Sequence, residues 1–371
     1  MPDNAQENST PERTFPLNSI YFYLCGDCNL ACRHCWISPK YQQKGTSSQA
    51  LDPGLMFNII TQARPLGLQT IKLTGGEPLI HPGITGILER VRDEKIGLVV
   101  ETNGVAMTSR IAGLIRECEK PFCSVSIDGT SRTHDKIRGV KGSFEDACRG
   151  AKYLSDAGVP LQIIMTVMRA NKDEIDDVVS IAADLGAESI KFNFVQPTER
   201  GELMHTRGET LSVPELIELG TWMERDLRKT SNLRVISGLP LAFRSLSAMF
   251  QDQRGGCGIC GIHSVLGVLS NGSYALCGIG ESTDELVFGD ARSVSLEDVW
   301  NHNPVLNDIR THLPRDLKGV CAECVMKWRC LGSCIAQNYY SSGDLLGDFW
   351  FCHSADDSGL FPDSRKIPAR T

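Results

Sequence analysis

Between residues 19 and 194 the chain repeats one pattern: an apolar run that reads as a strand, then a segment of helical period. The runs are 19–24 (SIYFYL), 69–73 (QTIKL), 97–101 (GLVVE), 122–127 (FCSVSI), 161–167 (LQIIMTV) and 189–194 (SIKFNF). Helical stretches lie near 52–66, 83–94, 107–117, 142–157 and 172–185. Strands separated by helices cross over and pair in parallel, so the expectation is an α/β fold, either an open doubly wound sheet or a barrel. The polar signals recur at one place in each unit. A cysteine loop follows the first strand, Thr74-Gly75-Gly76-Glu77-Pro78 the second, Thr102-Asn103-Gly104 the third and Asp128-Gly129 the fourth. Parallel α/β folds build their sites at the carboxyl ends of strands, so these segments are expected to converge on one rim.

Composition narrows the class. The 371 residues are 41% hydrophobic and 22% charged, with a net charge of -7, as in an ordinary globular chain of about two domains. Nothing in that charge favours nucleic acid or an anionic membrane as a partner. Residues 1–16 are polar and carry no signal-peptide core, and no run reaches membrane-spanning length; the expected location is cytoplasmic. Fifteen cysteines in such a chain argue for metal ligation over disulfides. They cluster at 25, 28, 32 and 35, and again at 257, 260, 277, 321, 324, 330, 334 and 352. The expected division is a tail over 1–16, a core over 17–212, a helical linker over 213–254 with a helix at 213–229, and a cysteine-rich unit over 255–371. Asn271-Gly272 marks a hairpin inside that last unit.

Cys28-x3-Cys32-x2-Cys35 supplies three thiols where a structural zinc takes four ligands. On spacing alone, zinc completed by Cys25, His34 or a distant ligand stays open. A [4Fe–4S] cluster held by three thiolates would keep one iron free for a small molecule. The triplet resembles the signature of the radical S-adenosylmethionine (SAM) enzymes, and the likeness extends along residues 17–200. Gly75-Gly76-Glu77-Pro78 resembles the motif that contacts the methionine amino group. SIDGTSRTHDKIRG, 126–139, resembles the strand-4 stretch, by which Ser126 and Arg138 would hold the SAM carboxylate. Thr102 and Asn103 match the ribose region, and His34 a usually aromatic position near the adenine. The resemblance implies a partial (β/α)6 TIM-like barrel. It also implies reductive cleavage of SAM to a 5′-deoxyadenosyl radical that takes hydrogen from a substrate.

Cys260, Gly272, Cys277, Cys321, Cys324, Cys330, Cys334 and Cys352 are spaced as in the SPASM extension of these enzymes. Taken alone, the Cys-x2-Cys pair also suits a zinc ribbon. By resemblance, one auxiliary [4Fe–4S] cluster would use Cys257, Cys260, Cys277 and Cys334, and a second Cys321, Cys324, Cys330 and Cys352. Trp328, Trp350 and Phe351 read as core packing around them, and Cys25, Cys118, Cys123 and Cys148 as buried thiols. The family implies a peptide or protein substrate and a flavodoxin- or ferredoxin-type electron donor. Only 27 residues precede Cys28, so leader recognition is expected to rest on a separate leader-peptide-binding protein as a partner, on a short strand-addition edge, or on no recognition domain. The leading reading is maturation of a ribosomally made peptide by crosslinking, oxidation or epimerisation. Alternatives are oxidation or decarboxylation of a tetrapyrrole side chain, sulfatase-type protein oxidation, and a zinc-bound scaffold. Gly278 stands where sulfatase-maturing relatives carry an aspartate base. No general base is assigned; Glu281, Asp284 and Asp290 are candidates by position only, and are expected to be solvated. The loop 195–202 is expected to line the barrel's open side.

Overall fold

The computed structural model describes residues 15–42, 46–251 and 260–368. Six parallel strands form the barrel wall: β1 (Ser19–Cys25), β2 (Thr70–Gly75), β3 (Gly97–Thr102), β4 (Glu119–Ser126), β5 (Leu161–Val167) and β6 (Ser189–Phe194). They hydrogen-bond in chain order, Ser19 opposite Thr70 and Thr166 opposite Asn193. The apolar alternation explains the wall: Ile20, Phe22 and Leu24 of β1 are fully buried, each contributing roughly 1.5–3 kcal/mol of transfer free energy.

The crossover helices are α1 (Pro53–Ala63), α2 (Ile84–Glu94), α3 (Ser109–Glu117), α4 (Ser131–Arg138), α5 (Ser143–Asp156) and α6 (Ile175–Asp184). Local signals start them. Asp52 caps α1 by accepting from Leu55 N at 2.7 Å, with Pro53 next, and Thr108 caps α3. Helix α4 has no counterpart in the periodicity reading. It is short and polar, and its buried members are His134, Ile137 and Arg138. A further short helix, α7 (Arg200–Thr206), follows β6.

The sheet does not end with the sixth strand. After helix α8 (Val213–Trp222) and a π-helical turn, β7 (Arg234–Ser237) pairs in parallel with β6. The stretch 213–254 is therefore not wholly helical. On the far edge β8 (Val265–Val268) pairs in parallel with β1 and turns at Asn271-Gly272 into antiparallel β9 (Ser273–Ala275), then β10 (Val287–Asp290). The complete order is β10-β9-β8-β1-β2-β3-β4-β5-β6-β7, a partial barrel extended at both edges. One apolar core runs through both parts, from Leu17 and Phe22 to Phe351 and Phe361. Among the described residues, no helix is long and apolar enough to cross a membrane.

Candidate functional site

The cysteine loop leaves β1 and is fastened on three sides. Asp27 is buried, and its Oδ2 accepts hydrogen bonds from Ser47, Ser48 and Gln49. Burial pushes its carboxyl up, but these donors outweigh burial and hold it below the ordinary carboxylate range. The last turn of α4 offers free carbonyls, as helix ends do. Arg138 O accepts from Ala31 N and Ile137 O from Arg33 N, both at 3.0 Å. Arg200 forks across the third side, donating to Cys32 O at 3.1 Å and Pro39 O at 3.0 Å. The loop 195–202 thus reaches the site through Arg200.

The glycine pair of the β2 loop answers a packing demand. Gly76 N donates to Cys25 O and Glu77 N to Asp27 O, drawing the two loops together. A Cβ on Gly76 would lie 2.0 Å from Asp27 O. Glu77 is thereby set under the β3 loop. It accepts from Thr102 Oγ1 at 2.5 Å, Asn103 N at 2.8 Å and Leu79 N at 3.1 Å. Burial is the stronger influence and pushes its carboxyl up to about 7. No cation lies within ion-pair distance of it among the described residues.

These segments enclose one cavity of about 210 Å³ at the carboxyl ends of the strands. Cys28, Cys32, Cys35, His34, Gly75, Gly76, Glu77, Thr102, Asn103, Ser126 and Arg138 all border it. Every residue expected around the first cluster is there. Arg138 is buried, 2.7 Å from Asp128, and its Nη1 reaches Cys32 Sγ at 3.5 Å. The contact of its Nε with Asp128 is an ion pair without good hydrogen-bond alignment, so the guanidinium keeps capacity for another acceptor. Burial would raise Asp128, but Arg138 and then His34 hold it low. His34 faces Asp128 at 3.6 Å, and burial pushes its ring down to about 4, leaving it neutral near pH 7.

Sequence reading missed Trp36, Glu101, Ser124, Thr166, Lys191 and Asn193, which also border the cavity. A signal existed for most of them. Polar residues interrupt the apolar strand runs with period two, and in a barrel that face points inward.

The C-terminal cysteines fall into two groups. Cys321, Cys324, Cys330 and Cys352 border a second, small cavity whose other walls include Leu317, Met326 and Phe361. Cys321 and Cys352 lie close enough to influence each other's ionisation, which holds the Cys321 thiol below its ordinary value and raises that of Cys352. Cys260, Cys277 and Cys334 lie near one another, and Cys260 and Cys277 are also within electrostatic range of Lys72 and Tyr21. Cys257 lies outside the described residues.

Burial pushes the thiols of Cys28, Cys32 and Cys277 up, and those of Cys260 and Cys330 up to about 12. Such thiols are not free nucleophiles; they ionise when a metal cation replaces the proton. Among the described residues, no three His, Cys, Asp or Glu side chains are grouped to hold a single ion. Thiols that border a cavity without meeting at a point suit a multinuclear cluster better than one tetrahedral ion.

Two expectations need correction. Trp328 is 66% exposed and does not pack in the core, unlike Phe351 at 1%; its short helix Lys327–Cys330 buries no residue. Cys148 is only half-buried, packed against the edge of the core from α5. The position-only base candidates are solvated, as expected: Glu281 and Asp284 are exposed, and Asp290 pairs with Arg292 at the surface; none borders the first cavity.

Comparison with known proteins agrees with this geometry. The Radical SAM superfamily model matches residues 23–182, and an iron–sulfur cluster-binding domain of SPASM type matches 257–325. The chain is 28% identical to the AdoMet-dependent heme synthase of Methanosarcina barkeri over 90% of this chain and 95% of that one. It is 26% identical to the mycofactocin maturase MftC of Mycolicibacterium smegmatis, over 86% and 78%. The fold matches that of Streptococcus suis SuiB bound to S-adenosylmethionine, with a TM-score of 0.69 and 18% identity over 91% of this chain and 77% of that one. With its cofactors, [4Fe–4S] clusters and SAM, the chain belongs to the radical SAM superfamily and is an enzyme of its SPASM branch.

Proposed function

We propose that the first cavity is the SAM-cleaving centre. One observation carries this: side chains from the loops after β1, β2, β3 and β4, far apart in sequence, border a single cavity with three thiols. In this reading Cys28, Cys32 and Cys35 hold the first cluster. Glu77, a buried carboxylate with no cation within ion-pair distance among the described residues, receives the SAM amino group. Ser126 and Arg138 take its carboxylate, Thr102 and Asn103 face the ribose, and Gly75 and Gly76 give the backbone room. His34, neutral and buried, borders the adenine. When bound, the cluster supplies the electron and SAM the group that abstracts hydrogen; the protein orients both and excludes water.

The second cluster is assigned to Cys257, Cys260, Cys277 and Cys334, and the third to Cys321, Cys324, Cys330 and Cys352. Residues 255–371 form the auxiliary unit, although β8 to β10 hydrogen-bond into the barrel sheet. The direct test is anaerobic reconstitution, iron analysis and reduction with dithionite in the presence of SAM. About 12 irons and release of 5′-deoxyadenosine are expected. A colourless, zinc-loaded protein that leaves SAM intact rejects the reading.

The substrate is assigned as a ribosomally made peptide, acted on in the cytoplasm with electrons from a flavodoxin- or ferredoxin-type donor. A separate leader-binding protein would present the peptide. Similarity to a mycofactocin maturase supports this assignment. A second reading, oxidation or decarboxylation of a tetrapyrrole side chain, is favoured by the near end-to-end alignment with AdoMet-dependent heme synthases. Mass spectrometry separates them: a mass change in a co-expressed neighbouring peptide supports the first, turnover of a porphyrin the second. The sulfatase-type base has no room here. A Cβ on Gly278 would sit 2.4 Å from the Tyr23 ring.

A further inference from the structure

The first cavity is bordered by five side chains that carry charge near neutral pH, and four of them are committed. Glu77 holds the β3 loop. Glu101 pairs with Lys72 at 2.9 Å. Arg138 pairs with Asp128, and Arg200 clamps two backbone carbonyls of the cysteine loop. The fifth, Lys191 of β6, has no hydrogen-bond or ion-pair partner among the described residues. Two residues along the same strand, Asn193 also borders the cavity and is also without a partner among the described residues. Residues at i and i+2 share one face of a strand and stand about 7 Å apart. Opposite them on β5, Ile164 pairs with Lys191 and Thr166 with Asn193, and both border the cavity.

Glu101 attracts the Lys191 ammonium from beyond ion-pair distance and Lys72 repels it, and an ammonium in a cavity without a contacting anion is costly. The carboxylate of SAM does not fill this role, since it is assigned to Ser126 and Arg138 on β4 and α4. We propose that Lys191, with Asn193 beside it, receives a carboxylate of the substrate. The inference rests on the SAM-cleaving reading of this cavity. It is common to both substrate readings, because a peptide acid and a tetrapyrrole propionate present the same group.

The test uses the anaerobically reconstituted holoenzyme with SAM. Dissociation constants are measured for two acid probes, a tetrapropionate porphyrin and an acidic hexapeptide, and for their methyl-ester and fully amidated counterparts. Wild type should bind one acid at least about tenfold more tightly than its neutral form, as expected for a charge-assisted hydrogen bond. Which acid binds identifies the source of the carboxylate. Lys191→Met should abolish that preference, and Lys191→Arg should retain most of it. The acid should lose far more affinity than SAM, titrated in the same samples. Four outcomes overturn the proposal: neither acid preferred by wild type, a preference surviving in Lys191→Met, none surviving in Lys191→Arg, or equal loss of SAM affinity. A wild type that releases no 5′-deoxyadenosine rejects the SAM-cleaving reading and this inference together.

Discussion

The two cavities that hold cysteines are built from opposite materials. The first takes three thiols from one loop, and two carboxylates and three cations from the strands, loops and helices around the barrel rim. The second takes four thiols and lines the rest mainly with Pro240, Ala242, Leu317, Met326 and Phe361; Lys327 is its one charged wall residue among those described. A charged, three-thiol cavity suits a cluster that must accept a polar ligand. An apolar, four-thiol cavity suits one that stays closed and keeps water away. Number of ligands and polarity of the walls change together, and function follows from both.

The largest effect that would break this contrast is on the first thiols. Cys28, Cys32 and Cys35 changed together to alanine should abolish 5′-deoxyadenosine release while about eight irons remain. Persistent release would end the distinction. Conversely, Cys321→Ala with Cys352→Ala should lower iron by about four while SAM affinity is kept. Loss of SAM binding in that variant would merge the two sites.

Arg138→Ala comes next. Beyond weakening SAM binding, it leaves Asp128 buried without its ion-pair partner, a loss of about 3–5 kcal/mol. Chemical denaturation of the metal-free protein measures it. An unchanged midpoint would mean that Asp128 is not dependent on the guanidinium. Gly76→Ala should cost about 1–3 kcal/mol through the clash with Asp27 O and should weaken SAM binding, read by calorimetry. The smallest effect is on pH. Because the Glu77 carboxyl is raised to about 7, its ionised fraction grows as pH rises through that value. Only the ionised form pairs with an ammonium, so SAM affinity should rise from about pH 6 to about pH 8 and then level. Folding has the opposite sign. The stability that the protonated carboxyl retains at low pH is lost as pH rises from its unfolded value through about 7. Glu77→Gln should flatten both curves.

Much of this contrast is legible in the chain. The six barrel strands fall within a few residues of where apolar alternation places them, because a two-residue period with buried Ile, Val and Phe admits little else. The motif residues of the first site are legible because a strand's carboxyl end fixes where its following loop lies. Helix α4 is not. Its eight residues are mostly polar, and its stability comes from burying Ile137 and the Arg138–Asp128 pair, both tertiary. Strand β7 is hidden for a similar reason: four residues, Arg234–Ser237, become a strand only because the edge of β6 is there to pair with. Trp328 misleads in the other direction, an indole that local composition assigns to the core and the fold leaves exposed.

By itself the sequence determined the alternating architecture, the thiol spacings and the loop on which each polar motif stands, since these depend on short-range periodicity. Tertiary structure alone decided that the auxiliary hairpin adds to β1. It also decided that Arg200 closes over the cysteine loop and that, among the described residues, Lys191 has no ion-pair partner. Those outcomes depend on which edges and charges meet across tens or hundreds of residues, and hydrogen-bond pairing and ion pairing act only at contact distance.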